Sequence, residues 1–316
     1  MSNPMGSDMG GAVCAQHPER NAQRTCERCG AYMCSECTEG GFKDTCPDCV
    51  ARTGGGTFPL SREDWSFDQI FSISWERWKP EWLMISVGML IIFGVTMVFN
   101  VVSQVIQAGV ASAGSVEASI GLSLIFSFAQ SLIQGVIQLG FYLLCIDVLM
   151  GKPANLGLLF TQFAKVGKLL VQLLVMGLII VVPLAVYAGI IAGIIFLAGL
   201  QDSEEVVLAI AGGAFLLVLF PLIWVSLGFY FMQMELAFDD EVGPIDAIKR
   251  SFALVDGHRL GTFGVAFVAG LVAMLGIFAC GIGIIVSAGL SQLILCGLYL
   301  ALRNGSDLPA VNRDLA

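Results

Sequence analysis

Residues 168–198 read KLLVQLLVMGLIIVVPLAVYAGIIAGIIFLA, with no charged side chain after Lys168. As a helix rising 1.5 Å per residue, such a run is longer than the roughly 30 Å of hydrocarbon in a bilayer. Runs of the same kind lie on both sides of it. They predict six membrane-crossing helices near 82–104, 120–146, 168–198, 206–235, 260–280 and 283–302. The last two are separated by Gly281-Ile282-Gly283, which calls for a tight hairpin. Composition agrees, with 56% hydrophobic and 13% charged residues, far from a soluble globular chain. Met1 to Val13 lacks an apolar stretch, so no secretory signal is expected there.

Charge orients the spans. Counting from an N-terminus inside, all 16 Lys and Arg fall on one side. Eight precede the first span, and Lys152, Lys165 and Lys168 lie between the second and third. Lys249, Arg250 and Arg259 lie between the fourth and fifth, and Arg303 and Arg313 follow the sixth. The other side carries only Glu117, Asp202, Glu204 and Glu205. The positive-inside rule then predicts cytosolic N- and C-termini, and the lipid bilayer as a partner of residues 65–304.

Three sequence units recur. The second span ends Phe141-Tyr142-Leu-Leu-Cys-Ile-Asp147, the fourth ends Phe229-Tyr230-Phe-Met-Gln-Met-Glu235, and the sixth ends Leu298-Tyr299-Leu-Ala-Leu-Arg303. A short amphipathic segment precedes each pair of spans. Ile70, Phe71, Trp75 and Trp78 share a helical face in the first, and Leu156, Leu159, Phe160 and Phe163 in the second. Ile245, Ile248, Phe252 and Val255 do so in the third, with Lys249 and Arg250 expected to turn away. Segments of this kind suit the headgroup level.

The N-terminal quarter is different. Seven of the ten cysteines fall at Cys14, Cys26, Cys29, Cys34, Cys37, Cys46 and Cys49, and His17 completes four close pairs. Two residues between the members of each pair let both side chains grip one metal from a tight turn. Eight such ligands suit two closed tetrahedral Zn2+ sites better than iron–sulfur ligation or a disulfide framework. Closed sites leave no position for water, so the two ions are expected to be structural. A piece of about 36 residues buries too little to fold alone, and metal would supply on the order of 10 kcal/mol per site. The expected fold class is a small two-zinc cross-brace domain plus an all-α polytopic membrane domain, six transmembrane helices in three repeats with interfacial amphipathic helices. The division is a 1–13 tail, a 14–50 zinc domain, a 51–64 flexible linker, the 65–304 membrane domain and a 305–316 cytosolic tail.

The pattern Cys14-x2-His17-Pro18, Cys26-x2-Cys29, Cys34-x2-Cys37 resembles a B-box-type zinc finger over residues 14–49. Its closing pair is Cys46 and Cys49, where B-boxes often use histidine. The resemblance implies interleaved pairs: Cys14, His17, Cys34 and Cys37 on one ion, and Cys26, Cys29, Cys46 and Cys49 on the other. Sequential pairing remains open at this point. The stretch Gly243-Pro-Ile-Asp-Ala-Ile-Lys-Arg-Ser-Phe-Ala-Leu-Val-Asp-Gly-His-Arg259, with Cys280-Gly-Ile-Gly283, resembles a bacterial six-helix membrane domain. Related domains are attached to some glycerophosphodiester phosphodiesterases. This resemblance implies a bacterial cytoplasmic membrane and brings no catalytic motif.

Few residues point to chemistry. Gln130, Gln134 and Gln138 form a polar stripe in the second span, readable as helix-to-helix hydrogen bonding or as a polar path. Asp147 and Glu235 sit at equivalent span ends, readable as a cation or proton site or as structural partners of Arg303 or nearby lysines. Gly189 and Gly193, with Ala188 and Ala192, are expected to allow close helix packing, and Pro183 and Pro221 to kink their spans. His17 and His258 are the only histidines, and neither belongs to a membrane serine–histidine pair, so no enzyme is expected. Between Cys14 and Arg52 there are five basic and six acidic side chains, which argues against nucleic acid. The expected function is recruitment of a cytosolic protein by the zinc finger; the alternative is a transporter or lipid-handling protein regulated by it.

Overall fold

The computed structural model describes residues 12–26, 29–35, 37, 46–47, 58–112, 116–200, 203–279, 282–306 and 308. A two-stranded antiparallel ribbon, β1 (Arg24–Thr25) and β2 (Tyr32–Met33), precedes a helical part. The helices are α1 (Phe67–Ser112), α2 (Val116–Leu149), α3 (Val166–Leu197), α4 (Glu204–Gly228), α5 (Met232–Phe238), α6 (Pro244–Val255), α7 (Arg259–Leu275) and α8 (Ile282–Arg303). Among the described residues, six helical stretches are long and apolar enough to cross a membrane.

Four expectations change in detail. The first amphipathic segment does not stand apart: α1 runs unbroken across Pro80 for 46 residues, merging it with the first span. Its rings form a ladder, with Phe71 on Trp75 at 6.3 Å and Trp75 on Trp78 at 5.1 Å. The second segment, Leu156–Lys165, is a 3-10 helix, opened by Asn155, whose side chain accepts from the Gly157 N–H. At three residues per turn, the buried positions become Leu159, Gln162 and Lys165, while Phe160 and Phe163 turn outward. In α6, Arg250 does not turn away with Lys249; it reaches back to Asp239 at 2.7 Å. Finally, of the stretch read as a flexible linker, residues 58–64 are docked. Phe58 and Leu60 are buried, and the Asn304 side-chain amide donates to both of their carbonyls at 3.3 and 3.0 Å.

The fourth span breaks at Phe229–Phe231 before α5 begins. A break inside an apolar setting strands backbone polar groups that must find partners. Ser251 of α6, fully buried, supplies them. Its hydroxyl donates to the Gly228 carbonyl at 2.7 Å and accepts from the Phe231 N–H at 3.0 Å. Lys165 and Lys168 do the same for the end of α5 and the turn beyond. Lys165 donates to the Leu236 and Ala237 carbonyls, and Lys168 to those of Asp240 and Val242. Cations are favoured at a helix C-terminus, where carbonyls are exposed.

Three glycines lie where a second span meets an amphipathic segment. A Cβ on Gly140 of α2 would lie 2.5 Å from the Leu159 Cα and closer still to the Leu158 carbonyl oxygen. One on Gly228 would strike the Phe252 ring of α6, and one on Gly297 of α8 would sit 3.2 Å from Ile70 and Ser74 of α1. The end of each second span thus meets an amphipathic segment. At Gly140 the obstacle is backbone, which cannot swing aside. Gly140→Ala is therefore expected to lose roughly 1–3 kcal/mol through overpacking. Gly94→Ala, with open space around it, should be neutral or gain up to about 1 kcal/mol of helix propensity. Thermal unfolding of the purified variants in one detergent checks the pair; equal midpoints would refute the packing account.

Candidate metal centre

The N-terminal module is built around its thiols. β1 leads into Cys26, whose N–H donates to the Ala31 carbonyl at 2.8 Å. Gly30, at φ +73, lets the chain turn back so that its own N–H reaches the Cys26 carbonyl. β2 then delivers Cys34. The first turn is stitched to that strand, since the Ala15 N–H donates to the Tyr32 carbonyl at 3.0 Å. This lays Cys14 and His17 beside Cys34.

The ligand atoms of Cys14, His17, Cys34 and Cys37 lie within 4.8 Å of one another, and those of Cys26, Cys29 and Cys46 likewise. Within the first group, His17 Nδ1 stands 3.4 Å from Cys34 Sγ and 3.3 Å from Cys37 Sγ, and Cys14 and Cys37 Sγ are 3.5 Å apart. In the second, Cys29 and Cys46 Sγ are 3.5 Å apart, and the Cys46 N–H donates to Cys26 Sγ at 3.2 Å. Cys49, the eighth expected ligand, lies outside the described residues.

These groups could hold metal ions. Sulfur at about 2.3 Å from a tetrahedral ion gives ligand-to-ligand edges near 3.8 Å, so closure needs shifts of tenths of an ångström. Burial raises the Cys14 thiol, but backbone hydrogen bonds at Gln16, Cys34 and His17 outweigh it and bring it down to about 6. Burial and the hydrogen bonds to Cys14 and Cys34 push the Cys37 thiol up to about 12. Neighbouring thiolates oppose each other's ionisation unless a cation joins them. The module also has little else inside. Among its described residues the buried side chains are Met33, Ala22 and the cysteines themselves, with Cys29 exposed.

The other singled-out residues scatter. Glu235, wholly buried, accepts from the Tyr299 hydroxyl at 2.8 Å and pairs with Arg303; Arg250 stands 3.7 Å from its other oxygen. The sequence pointed to Arg303 as a partner; Tyr299, one turn before it in α8, and Arg250 of α6 join it only through the tertiary packing around Glu235. Asp147 is half-buried at the end of α2. His258 is half-buried before α7, its ring 6.4 Å from Trp65. The close packing expected at Gly189 and Gly193 is not found: a Cβ on either would meet nothing within 4 Å, because α3 runs almost clear of the bundle there. α3 and α4 run on through Pro183 and Pro221.

A family model described as "Domain of unknown function (DUF7847)" matches residues 84–306, more than half of the chain. The chain belongs to this family. The DUF7847 region starts inside α1 and runs past the end of α8, so it takes in Glu235, Arg303 and the glutamine stripe. Both cysteine clusters and the Trp75–Trp78 ladder lie before it. No curated protein and no solved structure matches the chain. The likenesses to a B-box and to the membrane domain of glycerophosphodiester phosphodiesterases therefore rest on the quoted motifs alone.

Proposed function

We propose that this DUF7847 protein is a multi-pass membrane protein presenting a two-zinc module that recruits a protein partner to the bilayer. The observation that carries the reading is the pair of ligand clusters, Cys14, His17, Cys34 and Cys37, and Cys26, Cys29 and Cys46 with Cys49 as its expected fourth member. Their alternation along the chain supports a cross-brace, in which each ion ties distant turns together. Cysteine and histidine at these spacings favour zinc. Reduced thiols and the one-sided Lys and Arg support a cytosolic module and cytosolic termini. The three glycine contacts support reading the membrane part as three units, each second span ending against an amphipathic segment.

Both proposed sites are filled by protein ligands, which leaves the module a shape for other proteins to bind rather than a reaction centre. The test uses the full chain in its native membrane. After crosslinking and purification, one protein should be recovered in constant ratio with the wild type and be lost with Cys34→Ser. Recovery unchanged by that substitution, or no partner in constant ratio, would sink the recruitment reading.

A further inference from the structure

Five arginines lie in the described membrane part, and four of them are committed to protein groups. Arg62 donates to the Ala253 and Asp256 carbonyls and Arg259 to that of Trp224, while Arg250 pairs with Asp239 and Arg303 with Glu235. Arg77 of α1 makes no hydrogen bond or ion pair among the described residues. Its guanidinium nevertheless has a defined place. It lies against Gly151, where an added Cβ would stand 3.2 Å from Nη1 and 3.7 Å from Cζ. α2 ends there in a Schellman turn, with Gly151 at φ +85. The Gly151 N–H donates to the Val148 carbonyl at 3.0 Å, and the Lys152 N–H to that of Asp147 at 2.8 Å.

Arg77, Pro80 and Glu81 of α1 and Val148, Gly151 and Lys152 at the end of α2 line an open cavity of about 220 Å3. The cavity stands at the rim of the hydrocarbon. Glu81 is the last charged side chain before Glu117. On the other side of α1, Trp75 and Trp82 are 37% and 45% exposed, as suits an aromatic belt at the headgroup level. Toward the hydrocarbon, Met84 follows Arg77 and Glu81 on the same helical face and is 44% exposed. The cavity thus joins a charged mouth to an apolar wall that continues into the bilayer.

We propose that this cavity binds the phosphate of a singly charged anionic phospholipid of the phosphatidylglycerol kind. The planar fork of Arg77 matches two phosphate oxygens, and Lys152 adds a second positive charge. Lys152 and Asp147, half-buried one turn before Gly151, each have a further contact of their own, so the principal partner of the phosphate is Arg77. Two cations and the one carboxylate of Glu81 leave the lining at +1. A phosphodiester neutralises that charge, and a doubly charged phosphomonoester would exceed it. Glu81 also accepts from the hydroxyls of a glycerol headgroup. An acyl chain continues along Met84, which a soluble phosphate ester cannot use. Lys79 offers the comparison: it carries the same charge two residues on, but sits over the Trp75 ring, 5.6 Å from its centroid.

The experiment titrates the purified full chain, in a neutral detergent, with equal amounts of phosphatidylglycerol and phosphatidylcholine and counts bound lipid by native mass spectrometry. Wild type should retain one phosphatidylglycerol roughly tenfold more tightly than phosphatidylcholine. Arg77→Gln should abolish that preference, and Lys79→Gln should leave it unchanged. Arg77→Lys, the gentler change, should keep the fold and bind several-fold more weakly, so the test does not depend on the glutamine variant folding. Glu81→Gln, which leaves the lining at +2, should add affinity for phosphatidic acid. Glycerol 3-phosphate in large excess should fail to displace the lipid. The proposal is overturned if wild type shows no preference, or if both Arg77 variants keep it in full. It is also overturned if Lys79→Gln lowers the preference as far as Arg77→Gln does. Displacement by glycerol 3-phosphate would overturn it as well, by making the cavity a site for soluble phosphate esters.

Discussion

Replacing Cys34 by serine is expected to unfold the N-terminal module and release metal while α1 to α8 stay folded. The reason is the makeup of the module's interior, where the buried side chains are mainly the thiols, with Met33 and Ala22 as the apolar remainder. So small a core cannot offset the entropy of ordering the chain, and bound metal would supply on the order of 10 kcal/mol per site. Cys34 is fully buried between His17 and Cys37, so serine there removes a ligand that no neighbour can replace. Elemental analysis of the purified full chain should show two zinc per wild-type molecule and a loss of at least one in the variant. Limited proteolysis should then cut before residue 58 first. A strong chelator should reproduce both effects. Unchanged metal content and protection would refute metal-dependent folding.

Glu235→Ala is expected to cost about 3–5 kcal/mol, the range for breaking a buried ion pair from one side. Glu235 is inaccessible, the Arg303 side chain is 8% exposed, and Tyr299 donates to the same carboxylate. Removing the carboxylate leaves Arg303 over the Phe238 ring, 4.9 Å from its centroid, without its counter-charge. Because the damage comes from the orphaned cation, Glu235→Ala with Arg303→Leu should recover a large part of the loss. Thermal unfolding of the single and double variants in the same detergent measures the coupling. A double variant no more stable than Glu235→Ala would show that the pair is not the source.

Local patterns were the legible ones. The spans were readable because about 20 consecutive apolar residues have few other places to go, and their ends fall within a few residues of those expected wherever a span stands alone. Misreadings occurred where neighbours override periodicity. The 3.6-residue face assumed for Leu156 to Phe163 gave way to the three-residue repeat of a 3-10 helix, which buries Lys165 at the carbonyl end of α5. The fourth span read as continuous through Phe229 because nothing local reveals that Ser251, some 20 residues on, completes its broken backbone. Phe58 and Leu60 lie in a Gly-rich, linker-like stretch, and their docking comes from burial in the bundle core and from the distant Asn304 carboxamide.

By itself, then, the sequence determined the membrane class, the number of apolar spans and the thiol and imidazole groups able to hold metal. Each of these depends on composition or on spacing within a few residues. Tertiary structure alone decided which cysteine pairs come together, because β1 and β2 must first pair to lay Cys34 beside His17. It alone decided that Glu235, Tyr299 and Arg303 share one buried site. Those outcomes depend on contacts between segments far apart in the chain, where packing and the need to partner every buried polar group choose among arrangements that local pattern leaves equivalent.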